Sequence, residues 1–306
     1  MDKRNVWIEI TVRVAHEYAD AVASFLLERG STGIAQEDLR LQRAGSTACL
    51  KAYFLNEKDG AHIAEELQTY IARSAEREGK PLPAADVSVT SIPDEDWSAT
   101  WKSFFQPLHV TERIVIKPSW HQYRRQEGEI VIELDPGMAF GTGTHPSTRL
   151  CLHALDDIAL HGEPHLRESL LDVGTGSGIL AIAGVLLGFK HVVGIDIDHT
   201  AIACAQSNAE RNGIGTRLEL NTTSIRELNG SFSVIVANIL PHTLIYMKAQ
   251  LVARLAEQGV LILSGILEEK ADNVIDAFST DMRFLRKMHE GNWTCLIFKK
   301  ASALKS

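Results

Sequence analysis

The chain has 306 residues, of which 45% are hydrophobic, and carries a formal net charge of −8 at pH 7. Such a length predicts two domains, each with enough apolar residues for a buried core. The acidic balance argues against direct binding to nucleic acid and suits a basic partner. With no apolar run long enough to cross a membrane and no secretory segment at the N-terminus, we expect a cytoplasmic protein that does not bind membranes.

The four cysteines are scattered, without a C-x-x-C pair or histidines at metal-binding spacing. They are Cys49, Cys151, Cys204 and Cys295. This pattern is typical of reduced thiols packed in protein cores, so we expect no metal site.

The first ninety residues predict a domain of their own, with the element order βαββαβ. The predicted strands are 6–14, 33–38, 48–55 and 86–92, and the predicted helices are 16–29 and 61–78. This order is that of a ferredoxin-like α+β sandwich, in which two helices cover one face of an antiparallel sheet. Because such modules usually bind rather than catalyse, residues 1–92 are predicted to be a binding domain.

Residues 93–112 are predicted to form a linker helix. Acidic residues at 94–96 stand where a helix N-terminus favours negative charge, and aromatic residues follow from Trp97 at helical spacing. The pattern indicates a helix that packs on both domains. The alternative is that its aromatic or acidic side chains form part of an active-site wall.

Two short strands, 114–116 and 129–134, then predict a hairpin around the basic turn at 123–125. The following loop is rich in Gly, Thr and Pro and leads into a helix that begins at Pro146. Loops of this kind lie at the surface and often fold over a nucleotide site that follows them in the chain.

Two residues at the start of this helix are candidates for ligand contact. Thr148 falls in the first helical turn, where its hydroxyl or backbone N–H can meet a carboxylate. His145 could be imagined as a base, but its position between Thr and Pro indicates a structural or contact residue.

The most informative segment is 170–196, which predicts a βαβ unit with a nucleotide pocket at its tip. Glycines at 174, 176 and 178 let the backbone turn sharply and approach a ligand closely. Asp196 ends the second strand 22 residues after Gly174, where a carboxylate can accept hydrogen bonds from both hydroxyls of a ribose.

The glycine spacing separates the possible ligands. A dinucleotide site needs G-x-G-x-x-G, and its third glycine would fall on Ile179. The sequence DVGTGSG at 172–178 instead resembles the first motif of class I S-adenosylmethionine methyltransferases. A dinucleotide, or a tight turn without a ligand, is the alternative.

Strands and helices alternate through the rest of the chain, which predicts an α/β domain at 113–306 with a doubly wound, mostly parallel, seven-stranded sheet. Further predicted helices are 200–212, 241–256 and 268–278, further strands are 217–220, 233–237 and 259–264, and the segments 283–289 and 294–299 form an antiparallel pair. Asp172, Gly174, Asp196 and Asn238 all fall at carboxyl ends of strands, where such sheets bind ligands.

The fourth strand of this domain ends in Asn238, followed by Ile, Leu and Pro241. Amine and amide N-methyltransferases usually have Asn or Asp there, followed by Pro-Pro and an aromatic residue, whose oxygens hold the target nitrogen. Only the Asn and one displaced Pro are present here. A simple strand-to-helix turn with Pro241 near the first helical position is the alternative.

Together, eight segments resemble the bacterial ribosomal-protein L11 methyltransferases of the PrmA type. They are DEDW at 94–97, KPSW at 117–120, DPGMAFGTGTH at 135–145, DVGTGSG at 172–178, GIDID at 194–198, NAERNG at 208–213, ANIL at 237–240 and SGIL at 264–267. Pro241-His242, where the family often has Ala-Gly, and an insertion near His161 depart from the family.

The resemblance implies an N-terminal module that docks a large-subunit ribosomal protein. It also implies a class I domain that uses S-adenosylmethionine to trimethylate lysine and α-amino nitrogens. The predicted cofactor-binding residues are Thr148, Gly174, Asp196, Asn238, Asp172, Gly176, Phe140 and Gly141. Asn238 is also the predicted catalytic residue, which orients the deprotonated amine. The alternatives are an N-methyltransferase of another protein or a small molecule, and a non-catalytic nucleotide-sensing module.

Overall fold

The computed structural model describes residues 6–15, 18–31, 33–37, 47–55, 60–77, 85–93, 106–135, 143 and 145–300. The chain divides into two compact units, residues 1–105 and residues 106–306. None of the helices in the described ranges combines the length and the apolar character needed to span a membrane.

In the described residues, the first unit forms a four-stranded sheet and two helices. Its elements are β1 (Val6–Ala15), α1 (Ala19–Glu28), β2 (Gly33–Glu37), β3 (Thr47–Leu55), α2 (Gly60–Arg77) and β4 (Asp86–Pro93). The strand order is β2-β3-β1-β4 with every neighbouring pair antiparallel. Fully buried Ile10 and Leu50 from one sheet face pack in one core with Leu26 of α1 and Leu67 of α2. The predicted ferredoxin-like arrangement is therefore confirmed.

A small three-stranded sheet opens the second unit and corrects two predictions. It consists of β5 (Leu108–His109), β6 (Ile114–Lys117) and β7 (Ile130–Glu133). β5 and β6 are antiparallel, but β6 and β7 are parallel, so the predicted hairpin is wrong and residues 118–129 form a crossover.

The predicted helix over 93–112 is wrong at both of its described ends. Pro93 ends β4, and Leu108 and His109 lie in β5. Residues 94–105, which include Trp97, lie outside the described residues.

The rest of the second unit is a seven-stranded sheet flanked by helices. Its strands are β8 (Ser169–Val173), β9 (His191–Ile195), β10 (Leu218–Asn221), β11 (Phe232–Asn238), β12 (Leu255–Leu267), β13 (Met282–Glu290) and β14 (Trp293–Lys300). Its helices are α3 (Pro146–His161), α4 (Ile179–Leu186), α5 (His199–Arg211), α6 (Pro241–Arg254) and α7 (Ala271–Phe278). The strand order is β10-β9-β8-β11-β12-β14-β13, parallel through β12 and antiparallel for the last two pairs.

The central strands are buried on both faces, as a parallel sheet covered by helices requires. Leu170 and Val234 pack in one core cluster, whereas their neighbours Leu171 and Ile235 pack in the other. This doubly wound arrangement confirms the predicted fold class. Its consequence for function is that the carboxyl ends of β8, β9 and β11 lie next to each other.

None of the four cysteines forms a disulfide, and Cys49, Cys151 and Cys295 are buried. Cys204 is half-buried. The predicted core packing therefore holds for three of the four.

Candidate active site

A glycine turn joins β8 to α4. Gly174, Gly176 and Gly178 have φ values of +75°, +54° and +82°, a region that side chains rarely adopt. A Cβ atom on Gly174 would also lie 2.5 Å from Cγ2 of Ile239. The backbone N–H groups of Gly174 and Thr175 donate to the carbonyl oxygen of Ile195 at 2.8 and 3.0 Å. The turn is thereby tied to the end of β9 and lies against the end of β11.

The Asp196 carboxylate is fixed by two backbone N–H groups at the end of β9. Gly176 N donates to its Oδ2 and Asp198 N donates to its Oδ1, each at 3.0 Å. A carboxylate has about four lone-pair positions, so each oxygen can accept a further hydrogen bond. A pair of neighbouring hydroxyls, such as those of a ribose, fits these two oxygens.

Ile197, the next residue, is 96% exposed and was not singled out from the sequence. An isoleucine in so exposed a turn leaves a large apolar surface in water beside a carboxylate. The sequence could have pointed to Ile197, because it lies between two aspartates in GIDID, where a polar turn residue is expected.

Asp172, at the end of β8, is buried and only partly hydrogen-bonded. Its Oδ2 accepts from Thr175 Oγ1 at 2.7 Å and from Ala181 N at 3.2 Å, whereas its buried Oδ1 has no partner in the described parts of the chain. Burial raises the pKa of this carboxyl to about 7, and the negative charge of Asp196 acts in the same direction. A positive ligand group nearby would favour the ionised form.

The Asn238 amide, at the end of β11, bonds to the first turn of α3. Its Nδ2 donates to Thr148 Oγ1 at 3.2 Å, and its buried Oδ1 has no partner within the described ranges. Gly265, with φ +78°, lies beside this amide. A Cβ atom on Gly265 would lie 3.1 Å from Asn238 Oδ1 and 2.7 Å from the Ile239 carbonyl oxygen. Two hydrogen-bond acceptors therefore lie close together at this strand end.

The first turn of α3 is held against the sheet, which fixes Thr148. The buried Ser264 hydroxyl donates to the Ser147 carbonyl oxygen at 3.1 Å. His145 caps the helix by accepting from Ser147 N at 3.2 Å, and its ring lies edge-on to Trp293 with centroids 4.5 Å apart. Burial, aided by the charge of Arg149, lowers the pKa of His145 to about 4, so the ring is neutral at physiological pH. These contacts support the structural role expected for His145.

The Gly-Thr-rich loop is anchored where it begins. Asp135 accepts from the backbone N–H and the hydroxyl of Ser119 at 2.7 and 2.9 Å, and it pairs with Arg211. Near the other end, Gly143 has φ +79° and lies against Ile116 of β6. Phe140 and Gly141 lie outside the described residues, so their cofactor contact stays a prediction.

The structure thus joins six predicted site residues into one connected group. Gly176 bonds to Asp196, and Asp172 bonds to the same turn through Thr175 and to the start of α4. Asn238 bonds to Thr148, and the contact between Gly174 and Ile239 links this pair to the glycine turn. The described side chains contain no group of three or more that could hold a metal ion.

Comparisons with known proteins agree with this geometry. The sequence profile of the family described as "Ribosomal protein L11 methyltransferase (PrmA)" matches residues 6–301. A ribosomal protein L11 methyltransferase of Geobacter metallireducens is 41% identical, with 98% of this chain and 99% of that protein aligned. One from Pelotomaculum thermopropionicum is 37% identical, with 95% and 97% aligned.

A solved structure is also similar. The crystal structure of a ribosomal protein L11 methylase from Lactobacillus delbrueckii subsp. bulgaricus is 34% identical and superposes with a TM-score of 0.59. The match covers 64% of this chain and 99% of the solved chain. This chain therefore belongs to the PrmA family of protein methyltransferases, whose methyl donor is S-adenosylmethionine.

Proposed function

We propose that this protein methylates amino nitrogens of ribosomal protein L11, the substrate that its relatives' names give. The observation that carries N-methylation is the orientation of the Asn238 amide. Because Nδ2 donates to Thr148, Oδ1 is left as the hydrogen-bond acceptor at the end of β11. A neutral amine has N–H groups to donate to such an acceptor and a lone pair that can attack a methyl group.

The residues of the site fit S-adenosylmethionine. Asp196 would accept from the two ribose hydroxyls, and the exposed face of Ile197 would pack against the adenine base. Gly174 and Gly176 would let the ligand approach the backbone, and Asp172 would balance its positive charge. When bound, the cofactor supplies a methyl group on a positively charged sulfur, which is a good leaving group.

The chain's own task is to align the target nitrogen and to exclude water. A lysine amine must lose its proton first, against a reference pKa of about 10.4. Asn238 Oδ1 and the neighbouring Ile239 carbonyl oxygen would accept the N–H groups of the neutral amine, which points its lone pair away from them. We identify no dedicated general base among the described residues; water takes the proton.

We further propose that the product carries three methyl groups on one nitrogen. Ile239 and Leu240 replace the usual Pro-Pro-aromatic wall, which leaves room for a nitrogen that grows with each transfer. A neutral primary amine has two N–H groups, the monomethyl amine has one and the dimethyl amine has none. Asn238 therefore acts on the first two transfers, and the third depends on shape alone.

The docking of the ribosomal protein is assigned to residues 1–92. This proposal is supported by the division of the chain into two compact units and by the location of all six connected site residues in the second unit. Residues of the first unit would then contribute to the recognition of the protein substrate and not to methyl transfer.

Mass spectrometry of L11 after incubation with the enzyme and isotope-labelled S-adenosylmethionine tests the function. We expect labelled trimethyl groups on lysine or α-amino nitrogens. Transfer only to another ribosomal protein, or to none, would contradict the proposed substrate.

A further inference from the structure

Helix α6 has an unusual outer face. Its exposed residues recur at helical spacing, and we call the five of them the outer stripe: His242, Ile245, Tyr246, Ala249 and Ala253. A solvent-facing stripe normally consists of charged and polar residues. This one contains no Asp, Glu, Lys or Arg, and Tyr246 and Ile245 are 74% and 38% exposed.

The cationic side chains of α6 bind residues outside the helix and do not lie in the outer stripe. Lys248 pairs with Asp281 at 2.5 Å, and Arg254 donates to the carbonyl oxygens of Ile225 and Arg226 at 3.1 and 2.7 Å. These residues lie beside the stripe and hold the helix on the domain. The apolar surface is therefore not explained by a lack of polar residues in the helix.

The stripe begins at the active site. Leu240, which is 48% exposed, precedes the first turn of α6 and stands two residues after Asn238. The stripe therefore starts near the strand end that carries Asn238, where the target nitrogen is proposed to bind.

The dimensions indicate what covers this surface. From His242 to Ala253 the stripe extends about 16 Å along the helix axis, which is too long for an amino acid and matches a few residues of a polypeptide. It is also only one helix wide, on the order of 10 Å. Its area of about 160 Å² is therefore far smaller than the roughly 800 Å² per partner of a stable dimer. A transient contact with a protein substrate fits this size, and a second copy of the chain does not.

We propose that the outer stripe of α6, together with Leu240, binds a polypeptide segment of the protein substrate that carries apolar side chains next to its methylated amine. This inference rests on the proposed N-methylation at Asn238. The absence of Lys and Arg from the stripe serves the same role, because exposed cations there would repel a substrate segment that bears lysines.

The test replaces two stripe residues by polar residues that favour helices. In the Ile245→Gln/Tyr246→Gln variant, we expect KM for L11 to rise by about tenfold or more, since exposed aromatic anchors dominate such contacts. The kcat value and the affinity for S-adenosylmethionine should stay within about twofold of the wild-type values. Unchanged cofactor affinity also shows that the variant is folded.

Leu160→Gln is the matched control. Leu160 is 50% exposed and apolar, and it lies near the far end of α3 from Thr148, about 18 Å along the helix axis. The KM of the Leu160→Gln enzyme for L11 should equal that of the wild type. An unchanged KM in the stripe variant, beside a wild type that methylates L11, would overturn the docking proposal alone. A wild type that methylates no amine of L11 would instead overturn the proposed function.

A crosslink identifies the occupant directly. With the photoreactive residue benzoylphenylalanine in place of Tyr246, we expect irradiation in the presence of L11 to link the two proteins through a segment next to a methylated residue. Links only to a second copy of this chain, or only to residues 1–105 of the same chain, would refute a substrate-binding surface.

Discussion

Asp172 provides a stability prediction that depends on its buried state. Burial raises the pKa of this carboxyl from 3.8 to about 7 in the folded protein. Between these two values the unfolded chain has lost its proton while the folded chain still holds it. The contribution of Asp172 to stability is therefore largest below pH 3.8 and falls as pH rises towards 7.

The magnitude follows from the shift. Each pKa unit corresponds to about 1.36 kcal/mol, so the full shift is worth roughly 4 kcal/mol. Between pH 5 and pH 8, the free energy of unfolding should fall by roughly 2.5 kcal/mol through this one group. Asp172→Asn cannot ionise, and its amide oxygen can still accept from Thr175 and Ala181. The variant should therefore lack this decrease.

Other groups titrate in the same range, so the comparison must be differential. The buried His145 has its pKa lowered to about 4, which lets stability increase from pH 4 to 6.5 and opposes the effect of Asp172. This contribution is the same in the wild type and in Asp172→Asn. It cancels in the difference between the two proteins at each pH.

Native-state hydrogen exchange of the amides in β8 and β9 measures that difference within the second unit. At one pH the intrinsic exchange rates are equal, so the ratio of the two proteins' rates gives the difference in free energy. From pH 5 to pH 8, without S-adenosylmethionine, the rate of the variant relative to the wild type should fall by a factor of roughly 50 to 100. A ratio that does not change with pH would refute the buried, neutral state of Asp172.

Three further predictions concern the cofactor and the domains. Asp196→Ala should weaken S-adenosylmethionine binding by roughly 1.5 to 3 kcal/mol, since hydrogen bonds to a charged group are lost; calorimetry with wild-type affinity would exclude the ribose role. Gly174→Ala should lower stability by about 1 to 2 kcal/mol because alanine is strained at this positive φ, and the clash of its Cβ with Ile239 adds to this loss. A melting temperature equal to that of the wild type would contradict this prediction. A chain beginning at Gln106 should bind S-adenosylmethionine but methylate L11 slowly; an undiminished rate would disprove docking by residues 1–92.

Hydrophobic periodicity was sufficient to predict most of the fold. The strand β11 is a continuous apolar run that a doubly covered sheet requires, and the three alternate glycines mark the turn after β8. Hydrophobic periodicity does not predict whether two neighbouring strands pair in parallel or antiparallel. β6 and β7 have the lengths of hairpin strands, but the twelve residues between them are long enough for a crossover, and local sequence does not distinguish these arrangements.

The site was predicted as residue types at strand ends, without their contacts. The hydrogen bond between Asn238 and Thr148 joins positions 90 residues apart, and only the packing of α3 on the sheet brings them together. The orientation of the amide therefore could not be predicted from sequence. The outer stripe of α6 was missed for a related reason: the helix was predicted, but the face that packs on the sheet depends on the tertiary fold.

The most direct test of the account is the turnover of Asn238→Ala on L11 at saturating S-adenosylmethionine, compared with its cofactor affinity. Because the lost contact acts on the alignment of the nitrogen, kcat should fall by about 10² or more, while the dissociation constant of the cofactor changes much less. Neutral dimethyl-lysine has no N–H group for Asn238 to accept from. Asn238→Ala should therefore slow the methylation of a synthetic L11 peptide with dimethyl-lysine less than it slows the methylation of the unmethylated peptide. Equal turnover of Asn238→Ala and the wild type on the unmethylated peptide would contradict the role of Asn238 in positioning the amine.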